Sequence, residues 1–136
     1  MIELADTSAW TTRHRDSALE ADFNRRLRGG QIATCRIVVL ELLQTVRNAQ
    51  ELGLHRRELD ELRDAPIRRR EWDRAADVME ALAERGLHRA VRVQDLLIAA
   101  AAESAEVPVL HSDRRFELIA EVTGQPMRAL GPLGSL

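Results

Sequence analysis

The chain has 136 residues, 45% apolar, 31% charged and 3% aromatic, with 20 basic against 22 acidic residues and a formal net charge of -2. Every basic residue is Arg; there is no Lys and no Tyr. A Walker phosphate loop, a Schiff-base enzyme, a protein kinase and a Ser-Lys hydrolase all need a Lys, so each is excluded. The near balance of charge also argues against a strongly basic nucleic-acid scaffold, and two Trp and two Phe are too few for a base-stacking platform.

One domain spanning residues 1–136 is expected at this length, with a core that needs no staples. The lone Cys35 can form neither an intramolecular disulfide nor a zinc site by itself, and is expected as a buried thiol. No basic start followed by an apolar signal core is seen, and no window reaches the roughly 20 apolar residues of a membrane span. A soluble cytoplasmic protein without membrane association is therefore expected.

In chain order, Ile2–Ala5 reads as a strand that runs through Asp6-Thr7-Ser8 into a helix. Ser17 and Glu20 make a capping-box pattern for a helix to about Arg28, stopped by Gly29-Gly30. Ile32-Ala33 is a second strand, after which Thr34 can cap a helix from Cys35 to about Gln50. Gly53 separates that helix from another near His55–Asp64, and Pro66-Ile67 fits a brief strand. A helix from about Glu71 to Arg85 stops at Gly86, and Val93–Ser104 reads as a buried helix. Pro108-Val109-Leu110 is a strand, His111-Ser112-Asp113 a turn, Phe116–Val122 a helix, and Met127 marks a last strand before an irregular tail, Gly131–Leu136. Strands alternating with helices imply a mainly parallel sheet between helical layers, with sites at the carboxyl ends of its strands.

Four acids stand out by placement. Glu41 interrupts the apolar run Ile37–Leu43, and Asp95 is the only acid between Val91 and Ala102. Asp6 and Asp113 each follow a strand and precede a helix, so adjacent strands would bring them together. Each has a structural alternative. Asp6 and Asp113 suit helix N-caps, Glu41 can pair with Arg36 or Arg92, and Asp95 suits a first helical turn. If the four converge, a metal is the natural counter-charge, and an all-oxygen donor set favours Mg²⁺ or Mn²⁺ over zinc. Acids gathered without metal repel one another and titrate with raised, coupled pKa values. The four His residues, His111 included, read as surface or turn positions, while Arg92, Arg114 and Arg115 suit phosphate contacts.

The segments Asp6-Thr7-Ser8-Ala9-Trp10, Val93–Ala100 and Val109–Asp113, with Glu41 between, resemble a PIN-domain ribonuclease, in particular the VapC toxins of bacterial type II toxin–antitoxin pairs. Phe116–Ala120, Thr123-Gly124-Gln125 and Gly134-Ser135-Leu136 are similar as well, so the resemblance spans essentially the whole chain. It implies a three-layer α/β/α sandwich with a mainly parallel sheet of about five strands. It also implies an endoribonuclease dependent on Mg²⁺ or Mn²⁺. Asp6, Glu41, Asp95 and Asp113 match the family's acidic quartet, with Asp6 and Asp95 as first ligands; Ser8 and Thr7 match the supporting hydroxyl position. Many VapC sequences carry a second Asp two residues after the last acid. Here Arg115 stands at that place, which leaves one ion or two open. The implied partners are a VapB-type antitoxin, an RNA substrate and a second copy of the chain. A dehalogenase-type phosphatase or a receiver domain would need a Lys. The remaining alternative is a PIN-like module that binds RNA or a partner without cutting.

Overall fold

A computed structural model describes residues 1–131; the tail segment Gly134-Ser135-Leu136, and all of the expected irregular tail beyond Gly131, lie outside the described residues. The elements are β1 (Glu3–Ala5), α1 (Thr7–Thr12) with a 3₁₀ turn (Arg13–Arg15), α2 (Ser17–Arg28), β2 (Ile32–Thr34), α3 (Arg36–Leu43), α4 (Ala49–Asp60) and β3 (Arg63–Asp64). They continue with α5 (Arg69–Ala83), α6 (Val93–Ser104), β4 (Val109–His111), α7 (Arg114–Thr123) and β5 (Met127–Ala129). The five strands are ordered β3-β2-β1-β4-β5 and every pairing is parallel. Parallel strands need crossovers, and the helices that supply them cover the sheet, giving the expected α/β/α sandwich.

Burial follows position in the sheet. Every residue of β1, β2 and β4 is buried, whereas the edge strands β3 and β5 are exposed or partly so. Strands covered on both faces have no polar face to alternate with, so even Glu3, Thr34 and His111 are buried in them. Helix α6 is buried from Asp95 through Ala102, and its four consecutive alanines let it lie close against its neighbours. It packs with α3, α5 and α7.

Several expected boundaries move for identifiable reasons. The cap of α2 is Asp16, whose carboxylate accepts from the backbone N–H groups of Ala18 (2.7 Å) and Leu19, rather than Ser17. Thr34 belongs to β2, and Cys35 holds the N-cap position of α3 without a side-chain bond. The break between the two helices expected here moves from Gly53 to before Ala49: the first ends at Leu43 rather than near Gln50, and the second starts early because Asn48 accepts from the Glu51 N–H at 2.9 Å. Gly53 lies inside that helix. The third strand forms at Arg63–Asp64, ahead of Pro66, whose missing N–H cannot join a ladder. Cys35 is buried as expected, and burial pushes its thiol pKa up to about 11.

Candidate active site

Strands β1 and β4 are neighbours, with Leu4 opposite Val109 and Ala5 opposite Leu110. Their carboxyl ends therefore deliver Asp6 and Asp113 to the same sheet edge, and the Asp6 N–H donates to the Leu110 carbonyl at 2.9 Å. Both acids are helix N-caps. Oδ2 of Asp6 accepts from the Ser8 N–H at 3.0 Å, and Oδ1 of Asp113 from the Arg115 N–H at 2.9 Å. Capping thus accounts for one oxygen of each carboxylate. The other oxygen of Asp113 takes the Arg115 Nη1 at 3.1 Å, whereas Oδ1 of Asp6 is buried with no protein partner.

The two helical acids arrive from α3 and α6, which pack together. Glu41 is half-buried and accepts from Thr7 Oγ1 at 3.1 Å, so the residue after Asp6 fixes the carboxylate of α3. Asp95 is fully buried at the third position of α6, within the first turn, and its side chain reaches back to the Arg92 N–H at 3.0 Å. The Arg92 guanidinium grips the same carboxylate, Nη2 on Oδ1 at 2.8 Å and Nε on Oδ2 at 3.3 Å. The apolar run around Asp95 carries no Arg of its own, yet a cation three residues upstream, on the cap, reaches it. Pairing with arginine, considered above for Glu41, is therefore realised at Asp95 and Asp113.

Asp6 and Glu41 respond to burial and to the acids around them. Burial pushes the Asp6 carboxyl up and the Asp95 charge adds to this, against hydrogen bonding from Ser8. Burial likewise raises Glu41, opposed by the Thr7 bond and reinforced by Asp6 and Asp95. Asp6 and Glu41 are thus raised as expected, with burial the main cause and the neighbouring acids a smaller one.

Hydroxyls and an imidazole hold the frame. Ser8 Oγ accepts from the Ser112 N–H at 2.8 Å, tying the start of α1 to the turn after β4, and Ser112 Oγ donates to the Leu130 carbonyl at 2.6 Å. His111 is a correction to the sequence reading: it is 1% exposed at the end of β4, not a surface or turn residue. Its Nδ1 accepts from the Asp113 N–H at 3.2 Å, and its ring lies 5.4 Å from that of Phe116. Burial lowers the His111 pKa despite nearby acids, which favours the neutral ring this bond requires. The spacing His-Ser-Asp was the available signal for this support, but a strand end and a turn look alike in sequence.

The donor set fits a hard divalent cation, being carboxylate oxygens with one buried oxygen left unsatisfied. Among the described residues no three acids, imidazoles or thiols stand close enough together to hold an ion as they are. Asp95 and Asp113 instead face arginines. A shallow cleft of about 820 Å³ opens beside Glu41, lined by Leu40, Leu43, Leu52, Arg36 and Arg56. A larger one, about 1170 Å³, lies between α1, α2 and α4 and touches none of the four acids.

Comparison with known proteins gives a consistent picture. The sequence profile of the PIN domain matches residues 4–122. The chain is similar to Ribonuclease VapC21 of Mycobacterium tuberculosis, 41% identical over 101 residues and 72% of each chain. It is also similar to Ribonuclease VapC18 of the same organism, 37% identical across the whole of both chains. Among solved structures, VapBC2 from Rickettsia felis, bound to a DNA fragment from its promoter, superposes with a TM-score of 0.70 at 16% identity. That match covers 95% of this chain and 98% of the other, and it speaks to the fold.

Proposed function

The chain belongs to the PIN-domain family, and from that premise we propose that it is the toxin of a type II toxin–antitoxin pair, an endoribonuclease that hydrolyses RNA phosphodiester bonds with a divalent metal ion. The observation that carries the reading is the buried, partnerless Oδ1 of Asp6, set among the charges of Glu41 and Asp95. A carboxylate oxygen in that state asks for a cation. Mg²⁺ or Mn²⁺ would be held by Asp6 and Asp95, with Glu41 and Asp113 completing the oxygen set. The ion supplies charge relief at phosphorus and an activated water.

The protein's own groups do the positioning. Thr7 orients Glu41, while Ser8, Ser112 and His111 lock the two strand ends that present Asp6 and Asp113. Arg92, Arg114 and Arg115 flank the acids and supply the phosphate contacts that steer RNA onto them. No histidine is needed as a general base, and His111 is buried with its Nδ1 engaged by the Asp113 N–H. The partners of this reading are a VapB-type antitoxin, as in the VapBC structures the fold resembles, and a second copy of the chain. No helix among the described residues is long and apolar enough to cross a membrane, which suits action on cytoplasmic RNA.

The test is cleavage of structured RNA by the purified chain. Cleavage is expected with Mg²⁺ or Mn²⁺, to stop with a chelator, and to fall by at least about a hundredfold in Asp6→Asn and Asp95→Asn with the fold retained. Unchanged cleavage by both variants contradicts the assignment. Growth arrest on expression that persists in Asp95→Asn would instead favour a module that binds without cutting.

A further inference from the structure

We propose that Arg92 is a built-in counter-cation of the acid site: it neutralises Asp95 while no divalent ion is bound and must release it when one is. The proposal rests on the reading of these acids as a cation site. Its basis is the unequal character of the bonds on Asp95. The carboxylate is 0% exposed and receives a backbone N–H at 3.0 Å and two guanidinium bonds at 2.8 and 3.3 Å. The backbone bond, from the Arg92 N–H to Oδ2 of Asp95 in the first turn of α6, does not depend on where the Arg92 side chain goes. The guanidinium bonds belong to a long side chain that is 40% exposed and can swing into solvent.

Only Nη2 of Arg92 bonds to Oδ1 of Asp95 among the described residues, so removal of the fork frees a buried oxygen. A fully buried carboxylate is costly to leave without a counter-charge. Arginine and a divalent ion therefore compete for one oxygen, and their like charges keep them from sharing it. The charge of Arg92 also acts on Glu41 and Asp6, so its departure deepens the negative potential at all three acids together. Once released, the guanidinium lies at the rim of the site, where a phosphodiester oxygen is the next acceptor it meets. Cation binding and RNA contact are thereby linked through one side chain.

The experiment is titration of the full metal-free chain with Mn²⁺, read by calorimetry and by the Mn²⁺ spin-resonance signal, in wild type, Arg92→Gln, Arg92→Lys, Asp95→Asn and Arg89→Gln. Arg92→Gln should bind Mn²⁺ on the order of tenfold more tightly, the factor expected when a charged hydrogen bond no longer has to be broken. Arg92→Lys, which keeps the charge without the fork and folds if Gln is not tolerated, should fall between Gln and wild type. Arg89→Gln removes the same charge from an exposed loop position and should change affinity by less than about twofold. Equal or weaker binding by both Arg92 variants overturns the proposal while leaving the cation site intact. Absence of Mn²⁺ binding in wild type and Arg92 variants alike, indistinguishable from Asp95→Asn, overturns the cation-site reading and the proposal with it.

Discussion

Asp6 has two oxygens with different fates, one capping α1 and one buried without a partner. Replacing it with Asn keeps a good N-cap and removes a buried charge. Metal-free Asp6→Asn should therefore be more stable than wild type by roughly 1 kcal/mol at pH 7, read by chemical denaturation, and should lose the stabilisation that Mn²⁺ confers on wild type. The pH dependence follows from the direction of the shifts. Asp6 and Glu41 have folded pKa values above their unfolded ones, so the folded state holds protons that the unfolded chain has released. Their contribution is fully present below about pH 4 and is lost as pH rises through the raised folded values, so metal-free stability should decline over that window and Mn²⁺ should restore it. These acids were legible in sequence because each interrupts or directly follows an apolar segment, where an acid needs a reason. His111 was not, since its burial depends on Phe116 and on its place in β4 between β1 and β5, which lie far from it in sequence.

At the scale of elements, the alternation of strand and helix was legible because turn residues and apolar periods agree in most segments. The helix at Val93–Ser104 was legible from its run of Ala and Leu, and the one near Glu71–Arg85 from the Gly86 stop. What stayed hidden were contests settled by one side chain, such as Asp16 against Ser17 for the cap of α2. Glu3 shows a different limit. It sits in a strand read as mostly apolar, is 2% exposed, and is paired with Arg26 of α2 and with Arg128 of β5 at 2.8 Å. Those partners lie 23 and 125 residues away, beyond any local pattern. Burial alone would raise Glu3, but hydrogen bonds from Arg128 and Arg26 outweigh it and its pKa is lowered. The stability it contributes is present above the unfolded value near 4 and lost as pH falls through the lower folded value. Arg26→Ala should cost about 2 kcal/mol at pH 7, and the loss should shrink as pH approaches 3; a loss independent of pH would assign it to packing instead.

At the scale of the molecule, the parallel order β3-β2-β1-β4-β5 places β1 and β4 side by side, and this adjacency makes one site from residues more than a hundred positions apart. The balance of 20 arginines and 22 acids hides an uneven arrangement. Many arginines sit in surface pairs of small energetic worth, such as Arg69 with Asp73 and Arg47 with Glu51. Arg92 and Arg115 instead hold two of the four acids at the sheet edge. In this reading the sheet edge has two states, an arginine-paired one and one in which a divalent ion occupies it. Mn²⁺ diffused into crystals of the protein and located by its anomalous scattering tests this most directly. A peak against Oδ1 of Asp6, shared with Asp95, is the predicted result; peaks only elsewhere, with Asp6 Oδ1 still unpartnered, would contradict it.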